Sequence, residues 1–296
     1  MTKSPESIIT LPAWLDAVRQ PDEEQAAAYE ACPSDFRASL KTAIAFAFHL
    51  WGESASSFAT RLENSHSGFV HTLSCRPAAW TLALLSPNYI SPARFIAAIL
   101  PAILAGVSKI LITSLGTAPS PALCAATELA GLEDIFILPS GTDDVPRLLR
   151  ELYAQNSDGR VLLFPSVARE EPGFSIARQT AGILKLHLWQ DNPAPRLSII
   201  PSALPSADEN EAGEKNGNVL RRDIITWAHG DAQILDRDEC GITARFVQDY
   251  AEGFTDAPDT YSPLCFGPGL ETCWVHPLLK PEYFRTRTLR AYFSHS

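Results

Sequence analysis

The sequence predicts an α/β protein: a Rossmann-like parallel sheet with crossover helices, a helical N-terminal segment and an irregular C-terminal tail. Three observations carry the prediction. Two successive segments share one punctuation, an apolar strand, then a Ser-Pro pair, then a helical run that stops at Ala-Gly. Ser is a good N-cap, Pro is pre-set for the first helical position, and Gly supplies a left-handed stop. Further short apolar strands follow at crossover spacing, the grammar of parallel rather than hairpin pairing. The chain of 296 residues, 46% hydrophobic, is long enough to bury a full core.

In order along the chain, Leu11, Trp14, Leu15 and Val18 recur at helical spacing. A longer helix from Phe36 carries Leu40, Ile44, Phe48 and Trp51 on one face, suited to packing on the sheet. Residues 68–73 read as a short strand, and residues 76–85 as the first apolar strand of the core. The helix after Ser91-Pro92 buries Phe95, Ile99 and Ile103, is bent by Pro101 and ends at Ala105-Gly106. Strand 109–113 leads through Ser120-Pro121 into a helix that closes at Ala130-Gly131. A third strand at 134–138, a helix at 143–153 and a fourth strand at 160–164 follow, then a helix within 175–188 and a fifth strand at 196–200. Residues 201–218 turn small and polar, a surface loop. A helix at 219–227, a strand at 232–235 and a helix at 242–251 complete the regular part. The expected division is a helical segment 1–66 packing on the core, an α/β core 67–253 and a wrapping tail 254–296.

Composition excludes several roles. A net charge of −10 argues against nucleic acid, which needs clustered Lys and Arg. No uninterrupted apolar run reaches the ~18 residues of a membrane span. Met1-Thr2-Lys3-Ser4-Pro5-Glu6 lacks the charged-then-apolar pattern of a signal peptide. The six cysteines form no Cys-x-x-Cys pair and read as reduced thiols, so a cytoplasmic protein is expected.

Several landmarks, in order, resemble histidinol dehydrogenase, the zinc- and NAD-dependent enzyme of histidine biosynthesis and a structural relative of aldehyde dehydrogenases. They are the helix ending Phe48-His49, Arg76-Pro77 with the helix ending Leu100-Pro101-Ala102-Ile103-Leu104-Ala105-Gly106-Val107, and the stretch from Ala125 through Thr127-Glu128-Leu129-Ala130-Gly131 to Phe136. Near the end, Asp249-Tyr250-Ala251-Glu252-Gly253, Thr272-Cys273 and Tyr283-Phe284-Arg285-Thr286-Arg287-Thr288 follow the order of that family's late metal-binding segment and closing strand. The resemblance covers about half the chain and implies the family's fold.

The departures from the family pattern are concerted. Where the family has a Gly-Gly turn after its first strand, this chain has Ser86-Pro87-Asn88-Tyr89. Where it has a cofactor-contacting glutamine, this chain has Thr142, and its Gly-Pro-Gly-Asn turn is here Pro165-Ser166-Val167-Ala168. Small glycines let backbone approach a phosphate closely, and Pro87 with Tyr89 does not. The acid/base Glu-His pair is absent from the chain; residues 201–207, with Leu204-Pro205-Ser206-Ala207, are either its remnant or an unrelated loop. Of the metal ligands only Asp249 has a counterpart, and one carboxylate does not hold zinc. The sequence stops at His295-Ser296 ahead of the family's last ligand, and the missing length reads as mainly the second α/β lobe.

The expected binding residues are therefore Asn88, Tyr89, Ser91 and Arg94, in the loop and first helical turn beyond a strand's C-terminal end, with Thr142 after the third strand. Arg94 either pairs a small anionic metabolite there or stands solvated. Asp249 is a relic of the family's metal site or a surface carboxylate. His229 closes a helix, where an imidazolium favours the dipole. Cys124 reads as a buried, inert thiol, while Cys265 and Cys273 in the tail are open to reactivity. No catalytic residue is identified, and no cofactor or metal is expected. The leading expectation is a relative of histidinol dehydrogenase without its NAD and zinc chemistry, non-catalytic or binding a small anion. Two alternatives stand beside it: an NAD(P)-dependent oxidoreductase with a rebuilt site, and an assembly protein burying surface against a partner or a second copy, for example as a homodimer.

Overall fold

The first full strand–helix unit comes out as its punctuation requires. Strand β3 (Trp80–Leu85) is buried along its whole length, and α3 (Pro92–Ala105) ends on Gly106 at φ +85°. The second unit repeats it, with β4 (Ile110–Leu115) and α4 (Pro121–Leu129), where Ser120 accepts a hydrogen bond from the Leu123 amide and Gly131 sits at φ +75°. The computed structural model describes residues 9–52, 57–64, 66, 68–139, 143–166, 171–200, 219–237, 241–248 and 264–293. Ahead of β3 lie a 3-10 turn (Ala13–Val18), α1 (Asp22–Ala31), α2 (Ser34–Trp51), β1 (Phe58–Asn64) and β2 (Phe69–Pro77). After α4 come β5 (Ile135–Leu138), α5 (Asp144–Gln155), β6 (Gly159–Phe164), α6 (Pro172–Ile183), β7 (His187–Gln190) and β8 (Arg196–Ile200). The chain continues with α7 (Arg222–Ala228), β9 (Gln233–Leu235), β10 (Ala244–Val247), β11 (Leu264–Phe266) and β12 (Arg285–Phe293).

Five strands form a parallel sheet in the order β5-β4-β3-β6-β7. The fold class expected from sequence is thus observed. Leu82, Leu84, Val161 and Leu163 face a core built with α5 and α6, while Ala83, Leu85, Ile112, Leu162 and Phe164 face α3 and α4. Fully covered parallel strands carry apolar side chains on both faces, which is why these strands read as continuous apolar runs. The close seating of β6 on β3 fixes one glycine: a β-carbon at Gly159 would land inside the Trp80 indole.

Strand 196–200 was expected as the fifth strand of this sheet, and it lies elsewhere. It is β8 of a second parallel sheet, ordered β11-β10-β8-β9. Helix α3 lies between the two sheets, buried at every position but Ile103, and Leu197, Ile199, Ala244, Phe246 and Phe266 join its apolar core. The third sheet is antiparallel, with β2 between β1 and β12.

Other local expectations need correction. Residues 76–85 are two strands: the Ala78 amide still follows the β2–β12 register to the Phe284 carbonyl (2.7 Å), whereas the Ala79 amide turns to the Asp158 carbonyl (2.8 Å) and the chain enters the parallel sheet. The expected helix 242–251 contains a strand, since Ala244 to Phe246 pair β8 on one side and β11 on the other. Helix α6 begins earlier than expected, at Pro172, ends at Ile183 ahead of Lys185 at φ 55°, and the chain continues as β7 within the stretch expected to hold the helix.

Candidate functional site

In a sheet ordered β5-β4-β3-β6-β7 the chain runs outward from β3 in one direction and from β6 in the other. The crevice beyond the C-terminal ends of β3 and β6 is the switch point at which open α/β sheets receive ligands. Here the chain's own residues fill it. The Ser86 amide donates to the Phe164 carbonyl (3.0 Å), tying the two strand ends together. The Tyr89 amide donates back to the Ser86 carbonyl (3.0 Å), and this turn drives the Tyr89 ring inward against Phe164, 5.3 Å between centroids. Tyr89 is fully buried, and its hydroxyl donates to Asp191 Oδ2 (2.8 Å) just after β7. Burial holds that phenol well above its ordinary range.

Arg94 stands in the first turn of α3 and is also fully buried. Its Nε donates to Ser91 Oγ (3.1 Å), and its terminal nitrogens reach Asp191 Oδ2 (2.7 Å), the Asn192 carbonyl and Asp231 Oδ1. Burial alone would disfavour the guanidinium, but the carboxylates of Asp191 and Asp231 outweigh it and keep it charged. Asp231 is pushed up by burial, which Arg94 only partly offsets. Ser91 does not cap α3 as expected; its hydroxyl donates to the Ala228 carbonyl at the end of α7 (3.0 Å). His276 completes the cluster: Nε2 lies 3.0 Å from the Arg94 carbonyl, and Nδ1 accepts from Trp274 Nε1 (3.4 Å). With Nε2 carrying the proton the ring is neutral, in keeping with a pKa lowered by burial.

Three of the expected binding residues, Tyr89, Ser91 and Arg94, are thus brought together, but against one another and against the chain's own carboxylates. Asn88 is exposed, its amide 3.4 Å from Ser86 Oγ. Thr142, Asp249 and residues 201–207 lie outside the described residues. Among the described residues no cluster of three or more His, Cys, Asp or Glu side chains could hold a metal ion. His229 departs from expectation: it is fully buried and its pKa falls to about 3, so it is neutral and offers no charge to the α7 dipole. Cys273 is buried and pushed up to about 12, which leaves it unreactive; Cys124 is buried with a raised pKa, as expected. Asp191, Asp231 and His276 were not singled out from sequence. The available signal was Asp191-Asn192-Pro193 directly after an apolar stretch, a turn marking a strand end.

Two cavities flank the cluster. One, about 210 Å³, runs past Trp189, Asp191, Asn192, Trp274, His276 and Leu278. The other, about 490 Å³, is lined by Cys32, Pro33, Ile90, Ser120, Trp227 and Gly230 among others, and is chiefly apolar.

No protein-family model matches the sequence, and no curated protein does. Solved structures do. Histidinol dehydrogenase from Elizabethkingia anophelis superposes with a TM-score of 0.50 at 11% identity, over 93% of this chain and 77% of that one. Succinate-semialdehyde dehydrogenase from Burkholderia pseudomallei gives 0.44 at 12% identity, over 95% and 88%. Lactaldehyde dehydrogenase from Escherichia coli gives 0.33 at 12%, over 80% and 53%. The first of these shows that the two chains share a fold.

Proposed function

We propose that this chain is a relative of histidinol dehydrogenase that has exchanged nicotinamide and zinc chemistry for a non-catalytic, binding role. The observation that carries the reading is the filled switch point. A dinucleotide laid across the ends of β3 and β6 would meet the Tyr89 ring, and Tyr89 is held by Phe164 behind it and Asp191 at its hydroxyl. Moving it would take one of two donors from the buried Asp191 Oδ2, leaving Arg94 alone, and would strand the buried phenol hydroxyl, which is costly because buried polar groups that lose partners do not regain solvation. Asp191 and Asp231 are the anions that pair Arg94, which was expected either to pair a metabolite or to stand solvated.

Turnover tests this reading. The chain, incubated with NAD or NADP and with histidinol or simple alcohols, in the presence and absence of zinc, is expected to produce no reduced cofactor by absorbance. Sustained, enzyme-proportional reduction would favour the rebuilt oxidoreductase instead.

One further observation favours an assembly role alongside binding. In the antiparallel sheet, residues directly opposite share a face, and alternate residues repeat it. The register puts Phe58, Leu62, Phe69, Leu73, Leu289 and Phe293 on one face, and they are 36–68% exposed. The opposite face carries Arg61, Glu63, Thr72, Ser74, Thr288 and Arg290. A monomer rarely leaves a contiguous apolar patch of several hundred Å² in water. Of the charged side chains only Arg287 is exposed on this face among the described residues, so the net charge of −10 lies largely elsewhere; we propose a second copy as the occupant.

A further inference from the structure

The smaller cavity holds a carboxylate oxygen that its neighbours leave unserved. Asp191 is 3% exposed and lines the cavity wall. Its Oδ2 takes both the Tyr89 hydroxyl and Arg94. Its Oδ1 has one near neighbour, His276 Nδ1 at 3.8 Å. That nitrogen already accepts from Trp274 Nε1, so it has no proton to give, and Oδ1 is left without a donor among the described residues. A carboxylate oxygen normally accepts more than one hydrogen bond, and Asp191, which lines the cavity, leaves Oδ1 to take them from what occupies that space. The charges around it point the same way: one guanidinium, Arg94, faces two carboxylates, Asp191 and Asp231, and the imidazole between Asp191 and Trp274 is neutral.

The rest of the wall is aromatic. Trp189 meets the His276 ring edge-on at 4.7 Å, Trp274 stands beyond it, and exposed Leu278 forms the rim. Indole faces attract cations through their quadrupole and shelter alkyl groups. At about 210 Å³ the cavity lies below the roughly 300 Å³ at which drug-sized ligand sites begin. We propose that this groove binds a small alkylammonium ion, its N–H donated to Asp191 Oδ1 and its alkyl part lying along the aromatic wall to which Trp189 and Trp274 contribute. The site adjoins the Tyr89-filled crevice through Asp191, rests on the binding role proposed above, and deepens it by naming a cation rather than an anion as the ligand class.

The test is a tryptophan-fluorescence titration of the full chain with n-propylammonium chloride, alongside sodium propionate and sodium chloride at matched ionic strength. Because Asp191 also holds Tyr89 and Arg94, the informative variant lies at the rim. Leu278→Lys places a like charge at the mouth of the groove without touching the core. The expected result is a saturable response to propylammonium alone, weakened about tenfold or more in Leu278→Lys while the melting temperature stays unchanged. No saturable response, an equal response to propionate or sodium chloride, or an unaltered affinity in Leu278→Lys would overturn the proposal. Its failure would leave the turnover result untouched, so the two readings fail separately.

Discussion

At the scale of single residues the account turns on a buried ionic cluster whose members have unequal weight. Tyr89→Phe removes one hydroxyl donor from Asp191 and leaves Arg94 in place, so urea unfolding is expected to show a loss of about 1–3 kcal/mol. Arg94→Met leaves two buried carboxylates facing one another without a cation, and the expected loss is larger, about 3–5 kcal/mol. An equal effect of the two, or a milder effect of Arg94→Met, would contradict the picture of Arg94 as the shared counter-charge. Buried histidines set the pH response. His229 falls from 6.5 unfolded to about 3 folded, and His276 is lowered as well, so below pH ~6.5 the unfolded chain binds protons that the folded one does not. The His229 contribution is whole above pH ~6.5 and declines toward pH ~3, by up to about 1.4 kcal/mol per pH unit, and that of His276 runs in the same direction. Asp231, raised above 3.8, acts in the opposite sense, its cost growing as pH rises through its folded pKa. Unfolding at pH 7.5 and pH 5 is expected to show the lower stability at pH 5, and equal midpoints would contradict the neutral burial of both rings. Sequence reasoning found Tyr89, Ser91 and Arg94 because strand-end loops are where α/β sites form. It missed Asp191 and Asp231 because they reach Arg94 from 97 and 137 residues away, and no local pattern encodes such a pairing.

At the scale of elements, the helices and strands with punctuation of their own were legible and those shaped by neighbours were not. Gly106 and Gly131 take up the left-handed conformations that their Ala-Gly stops announce. Strand β10 carried no such mark. Ile242-Thr243-Ala244-Arg245-Phe246-Val247 also suits a helix locally, and only the ladders to β8 and β11 make it a strand. Strand β7 was hidden for a related reason, since the helix before it ends on Lys185 rather than on a glycine. The antiparallel sheet yields a prediction of its own. If its apolar face joins two copies, Leu289→Asp and Phe293→Asp should convert a dimer to a monomer by light scattering while the circular dichroism spectrum is kept, because both side chains are largely exposed in the single chain. A monomeric parent chain at high micromolar concentration would remove the basis for that interface.

At the scale of the whole molecule, the parallel architecture was readable because fully buried strands leave continuous apolar runs. The division into two sheets was not, because β8 looks like any other buried strand and the side it pairs is a tertiary choice. The resulting molecule has the fold of a histidinol dehydrogenase with its switch point occupied by its own tyrosine and ion pair. The most direct test of that claim is calorimetric titration of the intact chain with NAD. The account expects no saturable heat of binding at concentrations well above those at which dehydrogenases take up cofactor, whereas stoichiometric binding would mean that Tyr89 vacates the crevice and would contradict the account.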